Sequence, residues 1–313
     1  MKQYFKKALI AARARFQLPL ALLAGLWLVP APSVVSAPAD PSAKPLVVTT
    51  IRPLTLIVRE LTGEEADVVE LLAAGQDPHH LSLSPSQRRL LGRADPLVWI
   101  GPGLEAFLAK PVASLDRRAV VTWLPGDLGH GGEQAGEGVH GDPHIWLDPE
   151  ATGHFARALA ARLAERHPSM AAGIAARLAN FEVRLQAADR ALAARMAPLQ
   201  TARFVAEHAA YGPFVERYGL RAAGSLSDPS GVALGARNLL ALHERDDLAC
   251  IAVERAPGSR LARQLAARMG VPLVVIDPLG LGVARPGRLF QLRRCCEPRH
   301  RRRDRRDVER PHG

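Results

Sequence analysis

The chain has 313 residues, 48% of them hydrophobic, and a net charge of +10, which is length enough for two domains that each bury a core of their own. The charge is concentrated at the ends: residues 1–15 carry +5 and residues 285–313 carry +7, which leaves 16–284 at −2. A nearly neutral body argues against nucleic acid as the partner, because such binding needs Lys and Arg clustered on the folded part of a protein.

Residues 1–39 read as a signal peptide. A positive start is followed by an apolar run, Leu18–Val29, too short to span a bilayer comfortably, and then by small residues suited to cleavage after Ala37 or Ala39. The mature protein is therefore expected outside the cytoplasm, where disulfides persist. Three cysteines, Cys250, Cys295 and Cys296, allow one bridge.

Residues 40–45 form a linker, and from residue 46 short β-branched runs alternate with helical stretches. Strands are predicted over 46–50, 66–72, 96–101 and 119–123, with helices over 53–63, 86–94 and 104–110; together they make an N-terminal α/β lobe, 46–125. Residues 126–142, GDLGHGGEQAGEGVHGD, hold seven glycines and no apolar periodicity, which predicts a flexible loop. Its His130 and His140 are candidates for weak metal scavenging.

The N-terminal lobe ends over 143–167, and 168–198 is a connecting helix with a stripe of Leu178, Phe181, Leu185, Ala188 and Leu192. A C-terminal lobe, 199–284, repeats the alternation. Its strands are predicted over 202–207, 220–226, 250–254 and 272–277, and its helices over 212–219, 232–245 and 259–270. The fold class is α/β: two lobes of parallel-sheet βαβ units joined by one long rigid helix, with a metal site in the cleft between them.

Four polar residues stand out at the predicted strand ends: His79, His144 in GDPHIWLDP, His208 and Asp277, separated by 65, 64 and 69 residues. Three imidazoles and a carboxylate make a complete tetrahedral set for zinc. Each of them alone is more often an ordinary hydrogen-bonded residue, and Asp277 before Pro278 also reads as a turn cap. Their even placement over both halves is what favours a shared site.

The segments PHHLSLSPS (78–86), ADPLVWIGPGLEAFLAKPV (94–112), HIWLDP (144–149), EHAAYGPFVERYGL (207–220) and DPLG (277–280) carry a resemblance over roughly residues 46–282. They are similar to the zinc-binding periplasmic subunit of bacterial zinc ABC importers, within the zinc/manganese solute-binding family. The resemblance implies metal ligands at His79, His144, His208 and Asp277. Histidine at the third position is the zinc type, where manganese members usually have Glu, and Glu207 stands one residue out of register with it. His80 is the rival of His79, and Glu254 is expected to orient a bound imidazole.

By this resemblance the protein is a periplasmic monomer that captures Zn²⁺ as its transported ligand and delivers it to an inner-membrane ABC permease; it is not an enzyme. The alternative within the fold is manganese. From another class comes a secreted zinc hydrolase with Glu207 or Glu254 as base, against which four protein ligands leave no water to activate. After DPLG the family would continue into a last helix and a cysteine paired with Cys250. The Arg-rich tail, 285–313, departs from that pattern and reads as a frameshift, with Cys295 or Cys296 left as the partner of Cys250.

Overall fold

The computed structural model describes residues 44–73, 75–123 and 142–281. The signal peptide, His130 and His140, the Arg-rich tail and Cys295 and Cys296 lie outside the described residues.

The first sheet holds β1 (Leu46–Thr49), β2 (Asp67–Glu70), β3 (Leu97–Trp99) and β4 (Val120–Thr122), all parallel, in the order β2-β1-β3-β4. Val47, Val48, Leu97 and Val98 on the two central strands are fully buried, as expected where helices cover both faces of a parallel sheet. Helix α1 (Arg52–Thr62) turns Leu54, Ile57, Val58 and Leu61 inward, the spacing of one helical face, and Gly63 ends it with a positive φ of 57°. Helix α2 (Pro85–Leu91) opens on a capping box: Ser84 Oγ accepts from the Gln87 N–H, and Gln87 Oε1 accepts from the Ser84 N–H. Gln87 Nε2 also donates to Leu71 O at 2.8 Å, which ties the end of the 72–84 loop back to its beginning. The helix expected over 104–110 is a 3-10 turn, Ala106–Leu108, running into α3 (Ala109–Ala113).

Two helices then lead out of the first lobe, α4 (Pro149–Arg166) and α5 (Ala171–Met196), parted by a 3-10 turn at Pro168–Met170. The 26 residues of α5 make it about 39 Å long. Ile174 and Phe181 pack into the N-terminal core with Leu178 and Leu185, while Leu192 and Met196 pack into the C-terminal one. Ala188, expected in the same stripe, is exposed, because it falls between these two contacts.

The second sheet repeats the first. It holds β5 (Arg203–Ala206), β6 (Arg221–Ser225), β7 (Leu248–Val253) and β8 (Leu273–Val275) in the order β6-β5-β7-β8, again parallel. Helices α6 (Gly212–Tyr218), α7 (Ala236–His243) and α8 (Arg260–Met269) complete the lobe. Helix α7 is shorter than the predicted 232–245 because residues 227–233 form a tight loop instead. There Asp228 Oδ1 accepts from the Ser230 and Val232 N–H groups, and Ser227 pairs with Ala233.

In each sheet the chain leaves the central strand in both directions, and such a switch point is where open α/β sheets usually bind ligands. Here protein carboxylates occupy both crevices. In the first lobe the fully buried Glu105 accepts from Thr50 Oγ1 (2.5 Å), Gly101 N (2.9 Å) and Ile100 N (3.3 Å), which joins the ends of β1 and β3. In the second, Glu207 accepts from Ser259 N (2.5 Å) and Glu254 N (3.4 Å) beyond β5 and β7.

Burial pushes the Glu105 carboxyl up to about 7 despite its three donors. The unfolded chain therefore gives up this proton first as pH rises, so the stability Glu105 contributes is present below its ordinary value and is lost by about pH 7. Removing the acceptor leaves three buried donors unsatisfied. We expect Glu105→Ala to destabilise the protein by roughly 2–4 kcal/mol in urea titrations. The gap between wild type and variant should be larger at pH 5 than at pH 8. A gap of constant size would show that Glu105 does not titrate in this range.

Candidate metal centre

His79 and His144 are each the last residue of an Asp-Pro-His triplet, Asp77-Pro78-His79 and Asp142-Pro143-His144. In both, the aspartate Oδ1 accepts the histidine backbone N–H at 2.9 Å. The aspartate closes the turn and the proline fixes its φ, so each imidazole starts from a defined backbone. The repeated triplet is visible in the sequence, but strand-end reasoning passes over it. It also places His144 differently from that expectation: not at a strand end but at the entry of a 3-10 turn, Ile145–Leu147.

Asp142 does more than close a turn. Its Oδ1 accepts from His144 Nδ1 at 2.7 Å, so Nε2 is the nitrogen left for a metal. The His144 side chain is 3% exposed. Ile145 is buried in the N-terminal core, while the half-buried Trp146 lies 5.1 Å, centroid to centroid, from His144 and donates from Nε1 to Pro278 O at 2.8 Å.

His208 follows β5 by two residues. Its Nδ1–H donates to Glu254 Oε1 at 2.8 Å, and its Nε2 stands 3.2 Å from the Pro229 carbonyl. Glu254 thus engages the His208 ring. Glu207, one residue before His208, is instead engaged by the two backbone N–H groups described above.

These elements bring three rings together. The centroids of His79 and His144 are 5.4 Å apart, those of His79 and His208 5.3 Å, and those of His144 and His208 4.9 Å. One nitrogen from each ring lies within 4.8 Å of the others. Tetrahedral zinc holds neighbouring nitrogens about 3.3 Å apart, so modest side-chain rotations would close the set. His79 Nε2 is buried with no hydrogen-bond partner among the described residues, an orphaned acceptor that a cation would satisfy.

The electrostatics fit the same use. Burial, followed by the neighbouring His144 and His208, lowers the His79 pKa to about 4, so its ring is neutral at pH 7. Burial works in the same direction on His208, but the hydrogen bond and charge of Glu254 outweigh it and raise the pKa above the ordinary value. A metal must displace that proton.

Asp277 lines the same cavity of about 220 Å³ without joining the three-nitrogen cluster, and its Oδ1 accepts from the Leu279 N–H at 3.1 Å. His80 turns outward, with Nδ1 3.1 Å from Asp77 Oδ2 and a 59% exposed side chain. Cys250 is fully buried in β7.

The chain is also similar to known proteins. Residues 47–287 match the family described as zinc-uptake complex component A periplasmic, ZnuA. The chain is 27% identical over 270 residues to the high-affinity zinc uptake system protein ZnuA of Yersinia pestis, covering 77% of this chain and 85% of that one. It is 32% identical over 232 residues to the protein of the same name from Paracoccus denitrificans, covering 61% and 71%. In structure it is similar to the Zn(II)-bound ZnuA-like domain of Streptococcus pneumoniae AdcA, with a TM-score of 0.62, 26% identity, and coverage of 76% of this chain and 88% of that one.

Carboxylates that orient metal-bound imidazoles typically change affinity by about 10–100-fold. We expect losses of that size for Asp142→Ala and Glu254→Ala when Zn²⁺ is titrated against a chromogenic chelator. Glu207→Ala should act mainly on stability. Equal losses of affinity for Glu207→Ala and Glu254→Ala would reverse the roles assigned to these two acids.

Proposed function

We propose that this chain, which belongs to the family of the periplasmic zinc-uptake complex component A, captures Zn²⁺ on His79, His144 and His208 for delivery to an ABC permease of the inner membrane. The observation that carries this is the convergence of three imidazole nitrogens, one of them buried and without a partner among the described residues. A site dominated by imidazole suits zinc, whereas manganese prefers more oxygen. We assign the fourth place to Asp277, which lines the cavity; its carboxylate would complete a tetrahedral shell.

The task of the site is capture. His79 meets the ion already neutral, and the ion displaces the proton of His208 into solvent. Asp142 and Glu254 hold two of the rings by Nδ1, so little rotational freedom is lost on binding. Both acids considered as bases for a hydrolase are engaged elsewhere, Glu207 by backbone N–H groups and Glu254 by His208. This supports a carrier over an enzyme. Both lobes that line the cavity come from one chain, which supports action as a monomer. The signal-peptide character of residues 1–39 supports a periplasmic location.

The test is a competition titration of the metal-stripped protein with Zn²⁺ and Mn²⁺. We expect one tight zinc per chain that excess Mn²⁺ does not displace, and a loss of at least about 100-fold in His144→Ala, since a whole ligand is removed. Weak zinc binding by a folded wild type, or zinc readily displaced by manganese, would sink the reading.

A further inference from the structure

Helix α6 begins at Gly212, and the neighbour of that glycine is the carboxylate that orients His144. A Cβ built at residue 212 would fall well inside the contact radius of Asp142 Oδ2, and it would stand 3.4 Å from Asp142 Cγ. Nothing in the local backbone asks for glycine here. Gly212 is absent from the glycines of positive φ, so an alanine could adopt the same conformation. In the interior of an isolated helix alanine is favoured over glycine by up to about 1 kcal/mol. The space left by the missing side chain is taken up by Asp142.

That carboxylate is used at both ends. Oδ1 accepts from the backbone N–H of His144 at 2.9 Å and from its Nδ1 at 2.7 Å, while Oδ2 sits over Gly212. Asp142 and His144 lead into the Ile145–Leu147 turn ahead of α4, whereas α6 belongs to the C-terminal lobe. The contact therefore seats a ligand of one lobe against a helix of the other.

We propose that Gly212 is a positioning residue for metal capture: its bare Cα gives Asp142 the room it needs to hold His144 in register with His79 and His208. This rests on the reading of the three histidines as the metal site. A methyl group at 212 would push the carboxylate away, and His144 would lose the acceptor of its Nδ1–H.

The experiment is a double-mutant cycle on the full chain, with Zn²⁺ affinity and the melting temperature of the metal-free protein measured for wild type, Gly212→Ala, Asp142→Ala and the double variant. We expect Gly212→Ala to weaken zinc binding at least 10-fold and to add nothing further once Asp142 is alanine. Unchanged zinc affinity in Gly212→Ala would overturn the proposal, and so would an equal loss in both backgrounds. If Gly212→Ala does not fold, recovery of folding in the double variant supports the contact, and continued failure overturns it. A wild type that binds no zinc removes the metal site itself, and this role of Gly212 with it; a wild type that binds tightly while Gly212→Ala does too removes only the latter.

Discussion

Three imidazoles whose nitrogens lie within 4.8 Å of one another cannot all carry protons at little cost, and much of the structure around them answers that constraint. Burial and the two neighbouring rings drive His79 to the neutral state, whereas Glu254 compensates charge on His208. Without a cation the arrangement is costly, because the His79 Nε2 is buried with no partner among the described residues. A divalent ion reverses the sign of each of these terms: the crowding that disfavours protons becomes coordination.

The position of the site follows from how the sheets are closed. Parallel sheets normally offer a crevice at their switch points, and both are filled here, by Glu105 in one lobe and Glu207 in the other. Those places are taken by protein carboxylates, and the three histidines line a cavity between the lobes instead. The loops that leave β2 and β5 bring His79 and His208 there, and the turn before α4 brings His144. The same use of acids recurs at smaller scale in Asp77 and Asp142, which fix the backbone of the histidines that follow them.

The lobes are held together away from the three histidines as well. Helix α5 has no proline and a single glycine, Gly173, in its first turn, so it offers no hinge along its length. Arg217 of α6 donates to Glu150 Oε2 and to Asp189 Oδ2, both at 2.5 Å, and Tyr218 Oη donates to Asp189 Oδ1 at 2.8 Å. Single exposed ion pairs contribute little, but this network joins α4, α5 and α6 at one place. Trp146 adds a crossing hydrogen bond to Pro278 beside the site itself. Such bracing favours local changes in the loops over a wide swing of the lobes.

Much of this was legible in the amino-acid order. Two runs of alternating β-branched and amphipathic segments around one long helical stretch require two parallel α/β lobes and a strut, because periodicity and turn chemistry are local properties. The three histidines also stood out, by their place near predicted strand ends and their even spacing over both halves. Other features depended on contacts between residues far apart in the chain. Glu207 and Glu254 look alike in the sequence, each directly after a strand, yet one plugs a crevice and the other holds a ring. Ala188 fits the helical stripe, yet it meets neither lobe. Gly212 reads as an ordinary helix start, and only its proximity to Asp142, 70 positions earlier, gives the missing side chain a purpose. Local pattern determines which elements form and which face they bury; the direction a polar side chain takes is decided by the partners that tertiary packing brings within hydrogen-bond reach.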